Sequence, residues 1–291
     1  AYIRARGTDP LASYGDFIGL SRGVDLCTAK IIKKNVSDGI IAPDFEEESL
    51  EILKEKKGGE YVILKVNPEY RFPEIEFREL NGVILSQQRN DIEISKELIL
   101  KKIVTKNFNF TSDSCRDLVL ATISLKYTQS NSIVFALNGQ TIGIGAGQQS
   151  RLDSVKIAGN KAKSWFLKQH PKILNLPFRK NVGSVGRINA IKLFIEEDLT
   201  EIEIKNFQKM FNNELPKFSP EEKKEWIAKL TNVSLSSDAF FPFRDSIDYF
   251  SKIGVKYVVQ PGGSKRDDEV ITASNEYGIA MAFSGIRLFH H

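Results

Sequence analysis

The chain has 291 residues, of which 41% are apolar and 27% charged, a composition typical of a globular protein with a buried core. Its net charge of +4 is spread along the chain without a basic cluster, so we expect no nucleic-acid partner. No apolar run approaches the ~18 residues of a membrane span, and no signal peptide opens the chain. We therefore expect no membrane partner and a cytoplasmic protein.

The two cysteines, Cys27 and Cys115, lie far apart and match no zinc-site spacing. We predict that both are reduced thiols, as is usual in the cytoplasm, and we predict no metal-ligating residues. The chain begins with Ala1 instead of Met, and we expect it to be part of a longer protein.

The first part of the chain alternates short apolar strands with helices. Strands are predicted at 16–20, 38–42 and 61–66, and helices at 24–34 and 44–57. Asp44 and Glu47 have the spacing of a capping box, and Gly58 is placed to end the second helix. The Pro-containing stretch 67–73 is predicted to be a loop.

A different pattern follows in the middle of the chain. Helices are predicted at 118–127 and 150–166, and strands at 132–137 and 140–144. Asn138-Gly139 between these strands is typical of a type I′ hairpin turn. Further helices are predicted over 195–233, one of them beginning with Ser219 as N-cap, Pro220 and Glu222.

The alternation of strand and helix returns at the end of the chain. Strands are predicted at 238–243, 255–260 and 279–283, with helices at 245–253 and 264–277. Order and spacing match the first part, so we infer a duplicated β-α-β-α-β unit. Alternating strands and helices of this kind predict largely parallel sheets covered on both faces, an α/β fold.

Two glycine-containing turns are candidate ligand sites. Gly143–Arg151 lies between a strand and a helix, where free backbone N–H groups can bind an anion. Its spacing is GxGxG, not the dinucleotide-binding GxGxxG, and the alternative is a tight turn that needs glycines with positive φ. Pro261–Lys265 lacks the spacing of a phosphate-binding loop, and the alternative there is a helix cap by Ser264.

Two further segments have a composition suited to a site. The polar run 126–132 puts many hydrogen-bonding groups between core elements, where they must pair with each other or with a ligand unless the run is a solvated loop. Segment 237–245 has three phenylalanines, two carboxylates and an arginine, which suit a planar heterocycle. The alternative is a core strand with Asp245 as a helix N-cap. No HExxH, CxxC or GxSxG motif occurs, so zinc hydrolysis and nucleophile-elbow chemistry are not indicated.

These candidates occur together in one family. The blocks KYTQSNS (126–132), GIGAGQQSR (143–151), SSDAFFPFRD (236–245) and RLFHH (287–291) closely resemble the AICAR transformylase domain of the bifunctional purine-biosynthesis enzyme. VSDGIIAP (36–43), RARG (4–7) and YGDF (14–17) resemble it too. The resemblance covers essentially the whole chain. The family ends in the same Phe-His-His, which argues against His290 and His291 being the remainder of a purification tag.

The resemblance implies a reaction and a fold. The reaction is transfer of the formyl group of 10-formyltetrahydrofolate, a co-substrate, to the amine of AICAR. The implied fold is two tandem cytidine-deaminase-like three-layer units with mixed sheets. We place the first at 1–105, incomplete at its start, and the second at 106–291, with a helical insertion at about 195–233. The resemblance also implies a homodimer whose active sites use both subunits, and a structural potassium ion in some members.

Site residues follow from the resemblance position by position. Residues matching nucleotide contacts are Gly15, Asp38, Asn131, Arg151, Phe240 and Arg287. Residues matching folate contacts are Leu152, Asp245, Ser264 and Lys265. Arg287 suits a phosphate because a guanidinium is always charged and binds bidentately. Leu152 stands where isoleucine is usual, and Lys265 where a small residue can occur.

The family's principal catalysts are an adjacent Lys-His pair, and no Lys-His dipeptide occurs in these 291 residues. The reaction needs a base near a weakly nucleophilic amine, a proton donor for the folate nitrogen and stabilisation of an oxyanion. Asn131 is the catalytic residue that the resemblance assigns within this chain, where it would donate to or orient a reacting group. Two hypotheses follow: part of a formyltransferase domain, or a module that binds nucleotide and folate without catalysis.

Overall fold

The computed structural model describes residues 1–196 and 199–289. It divides into a smaller unit, residues 12–93, and a larger unit that combines residues 1–11 with the chain from residue 94 onward. These limits differ from the predicted boundary between 105 and 106. The physical reason is that strand 102–103 pairs with the last strand of the chain, and so belongs to the larger unit.

The helices and strands are numbered along the chain. The helices are α1 (Tyr2–Gly7), α2 (Leu26–Lys33), α3 (Glu47–Lys54), α4 (Lys96–Ile99), α5 (Ser112–Lys126), α6 (Arg151–Leu167), α7 (Pro171–Leu174), α8 (Ser184–Ile195), α9 (Glu201–Gln208), α10 (Pro220–Ile227), α11 (Asp245–Phe250) and α12 (Asp267–Glu276). The strands are β1 (Phe17–Gly19), β2 (Gly39–Ala42), β3 (Val62–Lys65), β4 (Ile75–Leu80), β5 (Val83–Gln88), β6 (Lys102–Ile103), β7 (Ile133–Leu137), β8 (Gln140–Gly145), β9 (Val233–Ser237), β10 (Val255–Gln260) and β11 (Ala280–Phe283).

The smaller unit contains a parallel sheet, β1-β2-β3, with α2 and α3 as its connections. The predicted β-α-β-α-β order is therefore confirmed for this part of the chain. The prediction of Asp44 as a helix cap is wrong. Helix α3 begins at Glu47 with Glu46 at the N-cap position, whereas the Asp44 carboxylate accepts a hydrogen bond from Lys65 Nζ at 2.8 Å. That ion pair joins the end of β3 to the loop after β2.

A two-stranded hairpin, β4-β5, also belongs to the smaller unit and was not predicted. Its turn has Asn81 and Gly82 at φ values of 51° and 82°, the conformation of a type I′ turn. Large apolar side chains on both strands are exposed, among them Phe77 and Ile84. Two isolated strands are marginally stable in water, so this hairpin has apolar surface available for contact.

The larger unit is built on a six-stranded mixed sheet of order β6-β11-β10-β9-β7-β8. Strands β9, β10 and β11 are parallel, whereas β7 runs antiparallel to both β8 and β9. Helices cover both faces. Val155 and Phe250, from α6 and α11, pack with Leu235 on one face, and Leu125 of α5 packs with Val134 on the other. The α/β class is confirmed, and the assignment of both units to a cytidine-deaminase-like fold stays a prediction.

The strand predicted at 238–243 is wrong, because the strand is β9, which ends at Ser237. All five residues of β9 are buried, although three are serines, and alternation places Ser234 and Ser236 towards α5. Ser236 shares a hydrogen bond of 2.8 Å with Thr122 on that helix. Residues 238–243 form a loop in which Phe241 is buried and its N–H donates to the Gln260 side chain at 3.0 Å.

The remaining elements of the larger unit agree with the predictions in most respects. The Asn138-Gly139 turn has φ values of 53° and 75°, as type I′ requires. Helix α10 starts with the predicted capping box of Ser219 and Glu222. Helices α7 to α10 surround an aromatic cluster that includes Phe207. None of the described helices is both long and apolar enough to cross a bilayer.

Candidate functional site

One edge of the larger sheet collects the segments singled out from the sequence. Because β9, β10 and β11 are parallel, their carboxyl ends meet at this edge. Strand β7 is antiparallel to its neighbours, so its start and the end of β8 lie at the same edge: Ile133 pairs with both Gly145 and Ser237. The loops that meet there are 127–132, 146–150, 238–244, 261–266 and 284–289. We call this edge the strand-end site.

Asn131 joins the two polar segments at this edge. Its side-chain amide donates to the carbonyl oxygens of Gln148 and Gln149, each at 2.9 Å. Its side-chain oxygen accepts from Arg151 Nη2 at 2.8 Å. Its backbone carbonyl accepts from Ser154 Oγ at 2.8 Å. Both amide hydrogens are therefore occupied, and one lone pair on Oδ1 is left for a further donor.

Asp238 and Arg151 form a buried ion pair directly behind Asn131. The Arg151 side chain is 6% exposed and that of Asp238 is 0% exposed. Arg151 Nη1 donates to Asp238 and to the Ser132 carbonyl oxygen, the latter at 3.0 Å. The Asp238 carboxylate also accepts from the Ser130 hydroxyl and, at 3.1 Å, from the Ser132 N–H. Asp238 thereby fixes the direction in which the guanidinium reaches Asn131.

The electrostatic environment of Arg151 reflects this burial. Desolvation lowers the pKa of the Arg151 guanidinium from its usual value, while the charge of Asp238 and its hydrogen bond oppose that change. Arg287 lowers the pKa further by like-charge repulsion. Arginine stays protonated at physiological pH all the same. Two positive charges therefore lie near each other, and the buried Asp238 carboxylate forms its ion pair with Arg151.

The glycines of segment 143–151 serve packing more than ligand binding. A Cβ at Gly143 would lie 2.1 Å from the Ala158 carbonyl oxygen, and one at Gly145 would lie 2.0 Å from that of Ser154. Helix α6 therefore crosses β8 at a distance that only glycine permits. Gly147 alone in this loop has a positive φ, 65°. The positive-φ interpretation is thus correct for Gly147 and wrong for the other two.

The two polar segments bind each other, which pairs most of their buried groups, but the Ser132 hydroxyl is buried without a hydrogen-bond partner among the described residues. The Gly147 N–H donates to the Gln129 carbonyl at 2.8 Å, and the Asn131 N–H to the Gln148 carbonyl at 3.2 Å. Ser130 and Ser132 are buried, whereas Tyr127 is exposed. The run is therefore a solvated loop only at its beginning.

Two residues expected at the nucleotide, Arg287 and Phe240, border this network. The Leu288 N–H donates to the Asp238 carbonyl at 2.9 Å, which holds the last described segment beside the ion pair. Arg287 is exposed and its guanidinium carbon lies 3.8 Å from the centre of the Phe289 ring. Phe240 is half-buried two residues after Asp238. His290 and His291 lie outside the described residues.

The residues expected at the folate follow strand ends or begin helices at the same edge. Asp245 is the exposed first residue of α11, not its N-cap, and accepts from the Ser246 N–H at 2.6 Å. The Ser264 hydroxyl accepts from the Arg266 N–H at 3.1 Å, but α12 begins only at Asp267. The interpretation of Ser264 as the helix cap is therefore wrong. Lys265 is exposed, and Leu152 is half-buried in the first turn of α6.

The aromatic segment 240–245 divides between core and surface. Phe241 is buried in the core, and Phe243 is exposed with the Arg266 guanidinium 4.8 Å from its ring centre. Arg244 forms ion pairs with Asp248 at 3.1 Å and Glu276 at 2.8 Å. Arg244 is therefore engaged within the fold.

Gly15 and Asp38 lie together in the smaller unit, before β1 and β2. The Asp38 N–H donates to the Asp16 carbonyl at 2.8 Å. Gly15 has a φ of 74°, and a Cβ there would lie 3.3 Å from Asp38 Oδ2. The Asp38 carboxylate also pairs with Lys57. The structure thus brings these two predicted residues into contact.

Asp238 is the site residue that sequence reasoning did not assign. It lies within block 236–245, in a segment that the sequence predicts to be a core strand. Its signal was a charged residue next to three phenylalanines and Pro242, since a buried carboxylate requires a cation and donors nearby. Among the described residues, no group of three or more His, Cys, Asp or Glu is arranged to hold a metal ion.

Comparison with known proteins identifies the family of the chain. The sequence model of the AICARFT/IMPCHase bienzyme family matches residues 1–161. Proteins named bifunctional purine biosynthesis protein PurH are 33% identical over 291 residues in Persephonella marina and 33% over 292 residues in Aquifex aeolicus. A third, from Magnetococcus marinus, is 31% identical over 296 residues. In each case the match covers 100% of this chain and 44% of the relative. The chain belongs to the AICARFT/IMPCHase bienzyme family.

Proposed function

We propose that this chain carries the AICAR transformylase part of its family and acts in purine biosynthesis, moving a formyl group from 10-formyltetrahydrofolate to the amine of AICAR. The observation that carries the proposal is the buried Asn131–Arg151–Asp238 network. It is assembled from three of the blocks that resemble the transformylase domain. The family's other activity, IMP cyclohydrolase, is the competing assignment.

Arg287, Phe240 and Arg151 are the residues proposed to hold the nucleotide in the larger unit. The exposed Arg287 guanidinium suits the phosphate because its donors form a planar fork that matches phosphate oxygens. The half-buried Phe240 ring suits stacking on the imidazole. Gly15 and Asp38 are the corresponding proposals in the smaller unit.

Asn131 is proposed as the residue that orients the reacting amine. With both amide hydrogens donated to backbone carbonyls, its free hydrogen-bonding capacity is an acceptor site on Oδ1. An acceptor there suits an N–H of the AICAR amine. An amine that donates to Oδ1 would have its nitrogen lone pair directed away from Asn131. Arg151 donates to the same oxygen and so prevents the side-chain amide from rotating by 180°.

Leu152, Asp245, Ser264 and Lys265 are proposed to bind the folate. Leu152 supplies apolar surface, and the outer oxygen of Asp245 is an acceptor for N–H groups of a pterin ring. The Ser264 hydroxyl accepts one hydrogen bond and keeps its proton for donation. Lys265 is exposed and positively charged, which suits the carboxylates of a folate.

Proton transfer is the part of the reaction that these residues do not explain. Asn131 and Arg151 can hold and polarise groups, but neither is a base at neutral pH. The Lys-His pair of the family does not occur in the chain. A module that binds nucleotide and folate without catalysis is therefore the second candidate function. A homodimer, a cytoplasmic location and a structural potassium ion are further proposals that rest on family membership alone.

The test compares this chain with a full-length protein that contains it. We expect the full-length protein to formylate AICAR with 10-formyltetrahydrofolate, and this chain alone to bind AICAR in calorimetry without measurable turnover. Cyclisation of formyl-AICAR by this chain, without AICAR binding, would assign it to the cyclohydrolase instead. Full transformylase activity of the 291-residue chain would remove the Lys-His pair from the mechanism.

A further inference from the structure

A cavity of about 290 Å³ lies in the larger unit between α6, α8 and segment 8–11. Its α6 wall starts about ten residues after Arg151, which is roughly 15 Å along a helix. The cavity is therefore separate from the strand-end site. Its volume is at the small end of the range for ligand pockets.

Two helices present one face each to this cavity. Asn160 and Ser164 of α6 and its C-cap residue Lys168 line it at intervals of four residues, so they share one side of the helix. Ile188 and Ile195 of α8 line it too, with Lys192 between them. Leu11 adds apolar surface from the third side. Beside this apolar surface, the same two walls carry the carboxylates of Asp9 and Glu196.

The lysines of the cavity differ in how their charges are balanced. Lys161 pairs with Asp9 at 2.7 Å, and Lys192 with Glu196 at 3.5 Å. Within residues 1–196 and 199–289, Lys168 forms no ion pair of this kind. Burial lowers the pKa of the Lys168 ammonium group, and the charge of Asp9 only opposes that change. Lys168 thus carries the least compensated charge in the cavity.

Two neutral groups on the same face as Lys168 also have donors to spare. The Asn160 side-chain oxygen accepts from the Tyr249 hydroxyl at 3.1 Å, which leaves its amide hydrogens for another acceptor. Ser164 lies one turn before Lys168 on the same face, and its hydroxyl is a further donor. An ammonium group with two neutral donors is a suitable environment for an anionic head group.

We propose that this cavity binds a small organic anion, with a carboxylate or phosphate head at Lys168 and Ser164 and a short apolar body against Leu11, Ile188 and Ile195. The proposal does not depend on the formyltransferase assignment. The apolar walls favour a ligand with a body over a bare inorganic anion, because burial of that body contributes about 25 cal/mol per Å².

Calorimetric titration of the 291-residue chain with benzoate and with phenyl phosphate tests the proposal, with benzamide as the neutral comparison. We expect saturable binding of at least one anion, and at least tenfold weaker binding of benzamide. The stronger of the two anions identifies the head group. Equal binding of benzamide, or no saturable binding of either anion, would overturn the proposal.

Two variants locate the site. Lys168→Gln is expected to weaken anion binding at least tenfold, whereas Lys163→Gln, on the same helix but outside the cavity lining, leaves it unchanged. Excess AICAR and the Arg287→Gln change should also leave it unchanged. Displacement of the anion by AICAR, or equal losses in the two lysine variants, would show that the probe binds elsewhere and would contradict the proposal.

Discussion

Arg151 and Asp238 are 87 residues apart in sequence and form an ion pair from which solvent is almost completely excluded. Arg151 starts α6, and Asp238 follows the last residue of β9. The pair therefore connects a helix to one of the two central strands of the sheet at the edge where the strand-end site lies. Burial of two charges is unfavourable unless both are fully hydrogen bonded, and here Ser130, Ser132 and Asn131 supply the additional bonds.

Asp238→Asn should destabilise the chain by about 3–5 kcal/mol, because it leaves the Arg151 charge buried without a counter-ion. Urea unfolding measures this change. Asp44→Asn is the matched control, since its ion pair with Lys65 is exposed and should contribute less than about 1 kcal/mol. Equal effects of the two substitutions would mean that the buried pair does not support the fold.

Asn131→Ala in the full-length protein should lower kcat for AICAR formylation by at least about tenfold, because a positioned hydrogen-bonding group is lost. Steady-state kinetics at saturating substrates measures the effect, and thermal unfolding shows whether the variant is folded. Asn109→Ala, at an exposed position, is the control. An unchanged kcat would remove Asn131 from the catalytic residues.

Asp245→Ala should mainly weaken binding of the folate. Asp245 is exposed at the strand-end site, and only one of its oxygens has a hydrogen bond within the chain. Titration with folate and, separately, with AICAR distinguishes the two ligands, and Asp268→Ala on the exposed part of α12 is the control. A loss of AICAR affinity alone would show that the pocket assignment is wrong.

Gly143→Ala should destabilise the larger unit by about 3 kcal/mol, because the added Cβ would lie 2.1 Å from the Ala158 carbonyl oxygen and force α6 away from β8. Denaturant unfolding measures this. Gly7→Ala is the control, since a Cβ at Gly7 meets nothing within 4 Å. If both variants were equally stable, the close packing of α6 on β8 would not matter for the fold.

His170 should make the stability depend on pH below neutrality. Burial lowers its pKa from 6.5, Lys172 and Lys229 lower it further, and Glu222 opposes them. Its Nδ1 accepts from the Lys172 N–H at 3.1 Å, which requires a neutral ring. Between the two pKa values the unfolded chain binds more protons, so stability falls as the pH drops from about 6.5 towards the lowered folded value.

The variant His170→Asn isolates this effect, since asparagine caps a helix without titrating. The free energy of unfolding is measured at pH 7.5 and at pH 5.5. Its decrease from pH 7.5 to pH 5.5 should be larger in the original chain than in His170→Asn. Parallel pH profiles for the two proteins would contradict the assignment.

Local chemistry was enough to predict much of this fold from the sequence. The apolar runs of β1, β2 and β3, the capping box of Ser219 and Glu222, and the Asn138-Gly139 turn are each decided within a few residues. The family was also evident from contiguous blocks, because each block keeps its chemistry within a short stretch. Hairpin β4-β5 was missed although Asn81-Gly82 is the same local turn signal. The limits of β9 were missed because long-range strand pairing determines them.

The site needed the tertiary structure. Sequence alone placed Asn131, Arg151 and Asp245 among the candidates, but the partners of a buried charge are set by which segments meet in space. The antiparallel pairing of β7 with β9 brings Ser130 and Ser132 to Asp238. Only that pairing makes a carboxylate in an aromatic segment the counter-ion of a helix-terminal arginine. Strand register joins Asn131, Arg151 and Asp238. Composition and spacing along the chain do not encode that register.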